Sequence, residues 1–174
     1  MFFSLLFSFL IFGTVALLER TFFAAVWGGS PASDSVLALA AALAVSLPNR
    51  LALIWIFSAA VASEMFSNFL PGAAALALFV GVAASRFLLD VVFSHRSPIS
   101  RAACAALGVL TALFTITLFR SAGVIFSGSM TYAALGAIWQ GALLVAIFTS
   151  AAAVILLLVL QLFRRLLGGV IKTV

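Results

Sequence analysis

The chain has 174 residues, of which 66% are hydrophobic and only 7% are charged, and its mean hydropathy is +1.37. Soluble domains carry about 25% charged residues, so this composition excludes a soluble globular protein and indicates a polytopic membrane protein. The formal net charge of +5 does not indicate nucleic-acid binding, because the basic residues are scattered over short loops and form no stripe.

At about 20 residues per span, this length allows one all-α transmembrane bundle of about six spans and no appended soluble domain. The first span is predicted over residues 2–27, and the absence of Lys or Arg before it argues against a cleaved signal peptide. The second, residues 33–47, is short, so it is expected to lie in a thinned bilayer or to be shielded by neighbouring helices. A turn at Pro48 separates it from the third span, residues 51–66, because one long kinked helix would leave Arg50 in mid-membrane.

Small residues mark the fourth and fifth spans, residues 73–93 and 102–119. On the fourth span they recur every four residues, at Ala73, Ala77, Gly81 and Ser85. The fifth span repeats the spacing at Cys104, Gly108 and Ala112. Small side chains on one helical face let a neighbouring backbone approach closely, so both stripes indicate helix packing, and Gly81 is predicted to be buried against another helix.

The last apolar run, residues 133–163, carries no charge. As one helix it would measure about 46 Å, longer than a hydrocarbon core of about 30 Å. We therefore expect a break near Gly136 or Gly141. An interfacial or half-inserted helix over residues 129–141 would then precede the sixth span, residues 142–163.

Three ionisable residues fall within apolar runs of the third and fourth spans: Glu64, Arg86 and Asp90. A charge in hydrocarbon is expensive and normally faces protein or water, so the hairpin that carries them is predicted to form the centre of the bundle. Arg86 and Asp90 are spaced i,i+4 and either pair along the helix or extend toward the interface. Glu64 has no local partner. It is either a helix-end residue near the headgroups or a buried polar residue that contacts a partner.

The sequence shows no catalytic constellation. Its single histidine, His95, lies in a polar loop, its single cysteine lies in an apolar run, and its four carboxylates are spread over different segments. Paired carboxylates, a nucleophile with a base, or metal-ligand spacing cannot be drawn from them. We expect no enzymatic activity, no cofactor and no metal site.

The distribution of Lys and Arg predicts the orientation. With six alternating spans, Arg20 and Arg120 fall on one side, and the other seven fall on the opposite side: Arg50, Arg86, Arg96, Arg101, Arg164, Arg165 and Lys172. By the positive-inside rule, both termini are expected in the cytoplasm.

The hairpin resembles the rod shape-determining MreD-like family of small bacterial membrane proteins. That family has an acidic residue near the end of the third span, a serine soon after, a turn closed by Pro and Gly, an Ala/Leu-rich fourth span and a polar loop. The corresponding features here are Glu64, Ser67, Pro71-Gly72, residues 73–93 and His95-Arg96-Ser97. The chain departs from the pattern in three places: Glu64 stands where Asp is more usual, Pro71 directly abuts Gly72, and His95 replaces Asn.

The resemblance implies a non-enzymatic component of the cell-elongation machinery in the bacterial inner membrane. Its implied partners are membrane lipid, a single-pass MreC-like protein and, through it, peptidoglycan synthases and the actin-like MreB filament. The family's fold is similar to that of the substrate-binding subunits of energy-coupling-factor transporters, which gives the alternative of a vitamin- or small-molecule-binding subunit. Such a subunit needs an extracytoplasmic pocket rich in polar and aromatic residues. The residues available for one are few: Trp27, Asp34, Asn68, Tyr132 and Trp139.

Overall fold

The computed structural model describes residues 2–19, 21, 34–65, 71–93, 97–126 and 131–171. Within these ranges the regular structure is entirely helical, as the composition predicts. We number the six helices in chain order: α1 Phe2–Leu18, α2 Ser35–Ser46, α3 Asn49–Met65, α4 Ala73–Phe87, α5 Pro98–Phe126 and α6 Tyr132–Ile171.

The turn between α2 and α3 lies where Pro48 predicts it. Leu47 is extended, with φ −93° and ψ 154°, the conformation that a following proline favours. At the end of α4, Leu88–Val92 form one π-helical turn, and the Phe93 N–H donates to the Leu88 carbonyl, five residues earlier, at 3.1 Å. The turn extends α4 to nearly the end of the expected fourth span.

Helix α5 is longer than the expected span of residues 102–119. Ser97 caps its N-terminus, because the Ser97 hydroxyl accepts a hydrogen bond from the Ser100 N–H at 3.1 Å. Pro98 then occupies the first helical position, where its fixed φ and missing N–H carry no penalty. Ser-Pro is a helix-start signal. Because of it, α5 begins at Pro98, four residues earlier than apolar content alone predicts.

The expected break near Gly136 or Gly141 is wrong, since α6 runs without interruption from Tyr132 to Ile171. An isolated glycine costs a helix only about 1 kcal/mol relative to alanine, and the flanking Ala- and Leu-rich sequence contains no proline. The helix is therefore about 60 Å long at 1.5 Å per residue. The prediction of a separate interfacial helix over residues 129–141 is therefore also wrong for the described residues, because residues 132–141 form the first turns of α6.

The centre of the bundle is α2, which corrects the prediction that the α3–α4 hairpin occupies it. Helix α2 packs against α1, α3, α4, α5 and α6. Nine of its twelve residues are buried, and most of them are alanines. Small side chains allow five helices to approach one short helix, which confirms that neighbours shield the short second segment.

Three helices among the described residues are long and apolar enough to cross a membrane: Ala73–Val92, Pro98–Phe126 and Tyr132–Phe163. Two further apolar helices, Phe3–Leu18 and Ser35–Ser46, are shorter. Large apolar side chains are exposed along the outside of the bundle, such as Phe114, Leu143 and Ile155. Apolar helices with an apolar exterior are compatible with surrounding lipid and indicate a membrane protein.

Candidate functional site

The small-residue stripe on α4 forms a close crossing with α5. Its four members are buried: Ala73, Ala77, Gly81 and Ser85. A Cβ atom added to Gly81 would lie 2.5 Å from the Gly108 carbonyl oxygen and 2.6 Å from the Ala112 Cβ. Gly81 is therefore buried against another helix, as the spacing predicts, and only a hydrogen atom fits at that point.

The facing stripe on α5 is equally close. Cys104, Gly108 and Ala112 are buried, and a Cβ atom on Gly108 would overlap the Ser85 hydroxyl. The Ser85 hydroxyl donates a hydrogen bond to the Gly81 carbonyl of its own helix at 3.1 Å, so it has a partner despite its burial. The two stripes therefore bring the backbones of α4 and α5 into close contact and fix how the two helices pack.

Glu64 lies near the end of α3, is half-buried, and caps the following helix. Its carboxylate accepts hydrogen bonds from the Gly72 N–H and, at 3.2 Å, from the Ala75 N–H. Those two N–H groups belong to the N-terminal end of α4, where the helix dipole favours a negative charge. Gly72 itself has φ +86°, a left-handed conformation that glycine adopts without strain. Glu64 thus closes the turn that joins the hairpin.

Two other carboxylates meet the N-terminal end of the central helix α2. The Asp34 side chain accepts from the Leu37 N–H at 2.8 Å, and Glu19 accepts from the Ser35 N–H at 2.9 Å. From α6, the Thr149 hydroxyl accepts from the Asp34 N–H at 2.8 Å. Three polar side chains, Glu19, Asp34 and Thr149, therefore accept hydrogen bonds from backbone N–H groups at this helix end. Without them, those N–H groups would have no partner inside the bundle.

The opposite end of α2 receives a cation. The Arg86 guanidinium on α4 donates to the carbonyl of Leu47, the residue that ends α2. Carboxylates at the N-terminal end and a guanidinium at the C-terminal end both match the direction of the helix dipole. These contacts hold both ends of α2 in position.

Asp90 and Arg86 lie at one end of a groove between α3 and α4. Asp90 is exposed and belongs to the π-helical turn Leu88–Val92. The structure therefore places both residues of the predicted i,i+4 pair at the same opening, and it gives Arg86 a further role at the end of α2.

The carboxylates of this chain mainly organise its helices. Asp34 could have been recognised from the sequence, because Asp directly before an apolar helix is a standard N-cap signal. The contact of Glu19 with Ser35 carries no such local signal, because it depends on how α1 and α2 are placed. Among the described residues, no three His, Cys, Asp or Glu side chains lie close enough together to hold a metal ion.

The residues considered for a small-molecule pocket do not come together where the structure describes them. Tyr132 is 91% exposed, whereas the Trp139 ring packs at a tilt of 59° against that of Phe114, with centroids 5.7 Å apart. The Asp34 N–H donates to the Thr149 hydroxyl on α6. Thr149 lies ten residues from Trp139, which is about 15 Å along the helix axis. Trp27 and Asn68 lie outside the described residues, as do Ser67, His95 and Arg96 of the MreD-like pattern.

Comparison with known proteins gives no match: no family model, no curated protein and no solved structure is significantly similar to the chain. What the chain does must therefore be inferred from the residues and contacts described above.

Proposed function

We propose that this protein is a non-enzymatic integral component of the bacterial cell-elongation machinery. In this proposal it lies in the inner membrane as a six-span bundle with a fold like that of the transporter substrate-binding subunits. It scaffolds a single-pass MreC-like partner and, through that partner, peptidoglycan synthases. The proposal begins from the resemblance of the hairpin to the MreD-like family.

One structural observation supports it. Three of the five features that carry the resemblance, Glu64, the Pro71-Gly72 turn and the Ala/Leu-rich fourth span, form one physical unit. Glu64 binds the backbone at Gly72 and Ala75, and the helix that begins there packs against α5. A rigid, well-capped hairpin is suited to presenting a fixed surface to another membrane protein.

The assignment of charges to helix ends also supports a scaffold. Glu19, Asp34, Glu64 and Arg86 all bind backbone groups within the bundle. Charged groups used in this way stabilise one arrangement of helices. Scaffolding requires such a fixed arrangement and no proton transfer.

The proposed topology has six spans and both termini in the cytoplasm, because seven of the nine Lys and Arg residues then lie on that side. Reporter fusions after Arg50, Arg96 and Val174 are expected to give cytoplasmic signals, and fusions after Gly72 and Gly128 periplasmic ones. A periplasmic signal at Val174 would refute the six-span topology.

Glu64→Ala tests the proposed function directly. The change removes a helix cap, so the free energy of unfolding should fall by about 1 kcal/mol. If the capped turn is also the surface that meets the MreC-like partner, co-purification of that partner should fall by about tenfold, equivalent to one lost charged contact. Cells that depend on the variant should round up. Glu64→Asp, which keeps the charge, should remain closer to wild type.

Thr131→Ala is the matched control, because it removes the N-cap of α6, where the Thr131 hydroxyl accepts a hydrogen bond from the Ala134 N–H at 3.1 Å. It should lower stability by a similar amount and leave partner binding unchanged. Normal partner binding and normal cell shape in Glu64→Ala, at equal membrane abundance, would remove the support for a partner contact at this turn.

A further inference from the structure

A groove of about 310 Å³ runs along the outside of the bundle between α3 and α4. Its walls are apolar and come from both helices, including Leu53 and Ile56 on α3 and Phe79 and Ala83 on α4. Arg86 and Asp90 line the same groove at the C-terminal end of α4. The groove therefore combines a long apolar surface with one cation and one anion at a single end.

The position of the charges along α4 matches a membrane interface. Asp90 lies three residues before Phe93, where the helical segment ends, and Arg50 is exposed at the adjacent start of α3. The apolar part of the groove extends from this end along α3 and α4 toward Phe79. A molecule that fits both parts has a charged headgroup and an apolar chain.

Two other grooves of similar size differ from the α3–α4 groove in the charge of their lining residues. The groove between α5 and α6, about 380 Å³, is lined by residues such as Phe114 and Trp139. The groove between α1 and α3, about 360 Å³, is lined by residues such as Leu10 and Met65. The side chains that line these two grooves are uncharged, so neither groove offers a charged partner for a lipid headgroup.

We propose that the α3–α4 groove binds a zwitterionic aminophospholipid, phosphatidylethanolamine. Its acyl chain lies along the apolar walls, its phosphate contacts Arg86, and its ammonium group contacts Asp90. A guanidinium has five N–H donors, so Arg86 can bind the Leu47 carbonyl and a phosphate together. The exposed Asp90 carboxylate repels a purely anionic headgroup and accepts hydrogen bonds from a primary ammonium, which phosphatidylcholine cannot donate.

This proposal is independent of the proposed role in cell elongation, since it uses only the groove and its charges. It also gives Asp90 a function that the capping contacts do not. A lipid held between α3 and α4 would bridge the outer faces of the hairpin and stabilise it.

The test is lipid competition. The purified full-length protein is exposed in detergent to an equimolar mixture of phosphatidylethanolamine, phosphatidylglycerol and phosphatidylcholine, and retained lipid is measured by native mass spectrometry. The wild type should retain phosphatidylethanolamine about tenfold over either competitor, and Asp90→Asn should remove its preference over phosphatidylglycerol. Ala83→Phe, which fills the groove, should lose retention, whereas Ala137→Phe on the exposed face of α6 should behave as wild type.

Equal retention of the three lipids by the wild type would mean ordinary contact with surrounding lipid and would overturn the proposal. Retention by Ala83→Phe at the wild-type level would overturn it as well. If Ala83→Phe does not fold, the comparison of Asp90→Asn with the wild type decides. An unchanged lipid preference in Asp90→Asn would then reject the headgroup contact.

Discussion

Replacing Gly81 with leucine is expected to lower the free energy of unfolding by about 3 kcal/mol, the upper range for overpacking in a filled interior. The first atom of the new side chain would lie 2.5 Å from the Gly108 carbonyl and 2.6 Å from the Ala112 Cβ. The carbonyl belongs to the backbone and the Cβ is attached directly to it, so neither group can move unless α4 and α5 separate. Separation of these helices removes the close packing that holds them together in lipid.

Cys104 provides the measurement. It is the only cysteine in the chain and is completely buried beside this crossing, so labelling by a thiol-reactive fluorophore reports unfolding. Labelling of Gly81→Leu should begin at a clearly lower temperature than that of wild type. Gly136→Leu is the matched control, because nothing lies within 4 Å of a Cβ atom there and leucine is the better helix former. If both variants label like the wild type, the α4–α5 crossing is not a close one.

Replacing Ala42 with leucine is expected to lower the free energy of unfolding by about 2 kcal/mol. Ala42 is completely buried on α2, the helix that packs against all five others. A larger side chain there must displace at least one neighbouring helix, and it also strains the contacts that hold the two ends of α2.

The same thiol-labelling measurement applies to Ala42→Leu. Ala137→Leu, the same change on an exposed face of α6, should leave the labelling temperature unchanged. Equal labelling temperatures for Ala42→Leu and Ala137→Leu would show that α2 is not the packed centre of the bundle. The sequence-based prediction, that the α3–α4 hairpin forms the centre of the bundle, would then be favoured.

The small-residue faces of α4 and α5 were predictable, because each depends only on the local periodicity of its own helix. Residues four apart lie on one face of any helix, so Ala73, Ala77, Gly81 and Ser85 had to share a face before any tertiary contact was known. The facing stripe at Gly108 follows from the same rule. Sequence gives no distance between the stripes, and only the structure shows that they face each other.

The roles of the charged residues divide in the same way. An Asp before a helix is an N-cap by local chemistry, so the contact of Asp34 with Leu37 lies within three residues of chain. The contact of Glu64 with Gly72 spans eight residues across a turn, and that of Arg86 with Leu47 spans 39 residues. The longer the chain between two groups, the less local preference determines whether they meet.

Composition alone predicted a membrane protein, because 66% hydrophobic residues cannot be covered by 7% charged ones in water, and the length of the apolar runs predicted helical spans. Local signals also determined the turn at Pro48 and the small-residue stripes. Tertiary structure decided which helix is central and where the carboxylates act. An Ala-rich helix such as α2 carries no distinct apolar face, so its sequence does not show which neighbours surround it. It becomes the centre because its small side chains let five other helices approach at once.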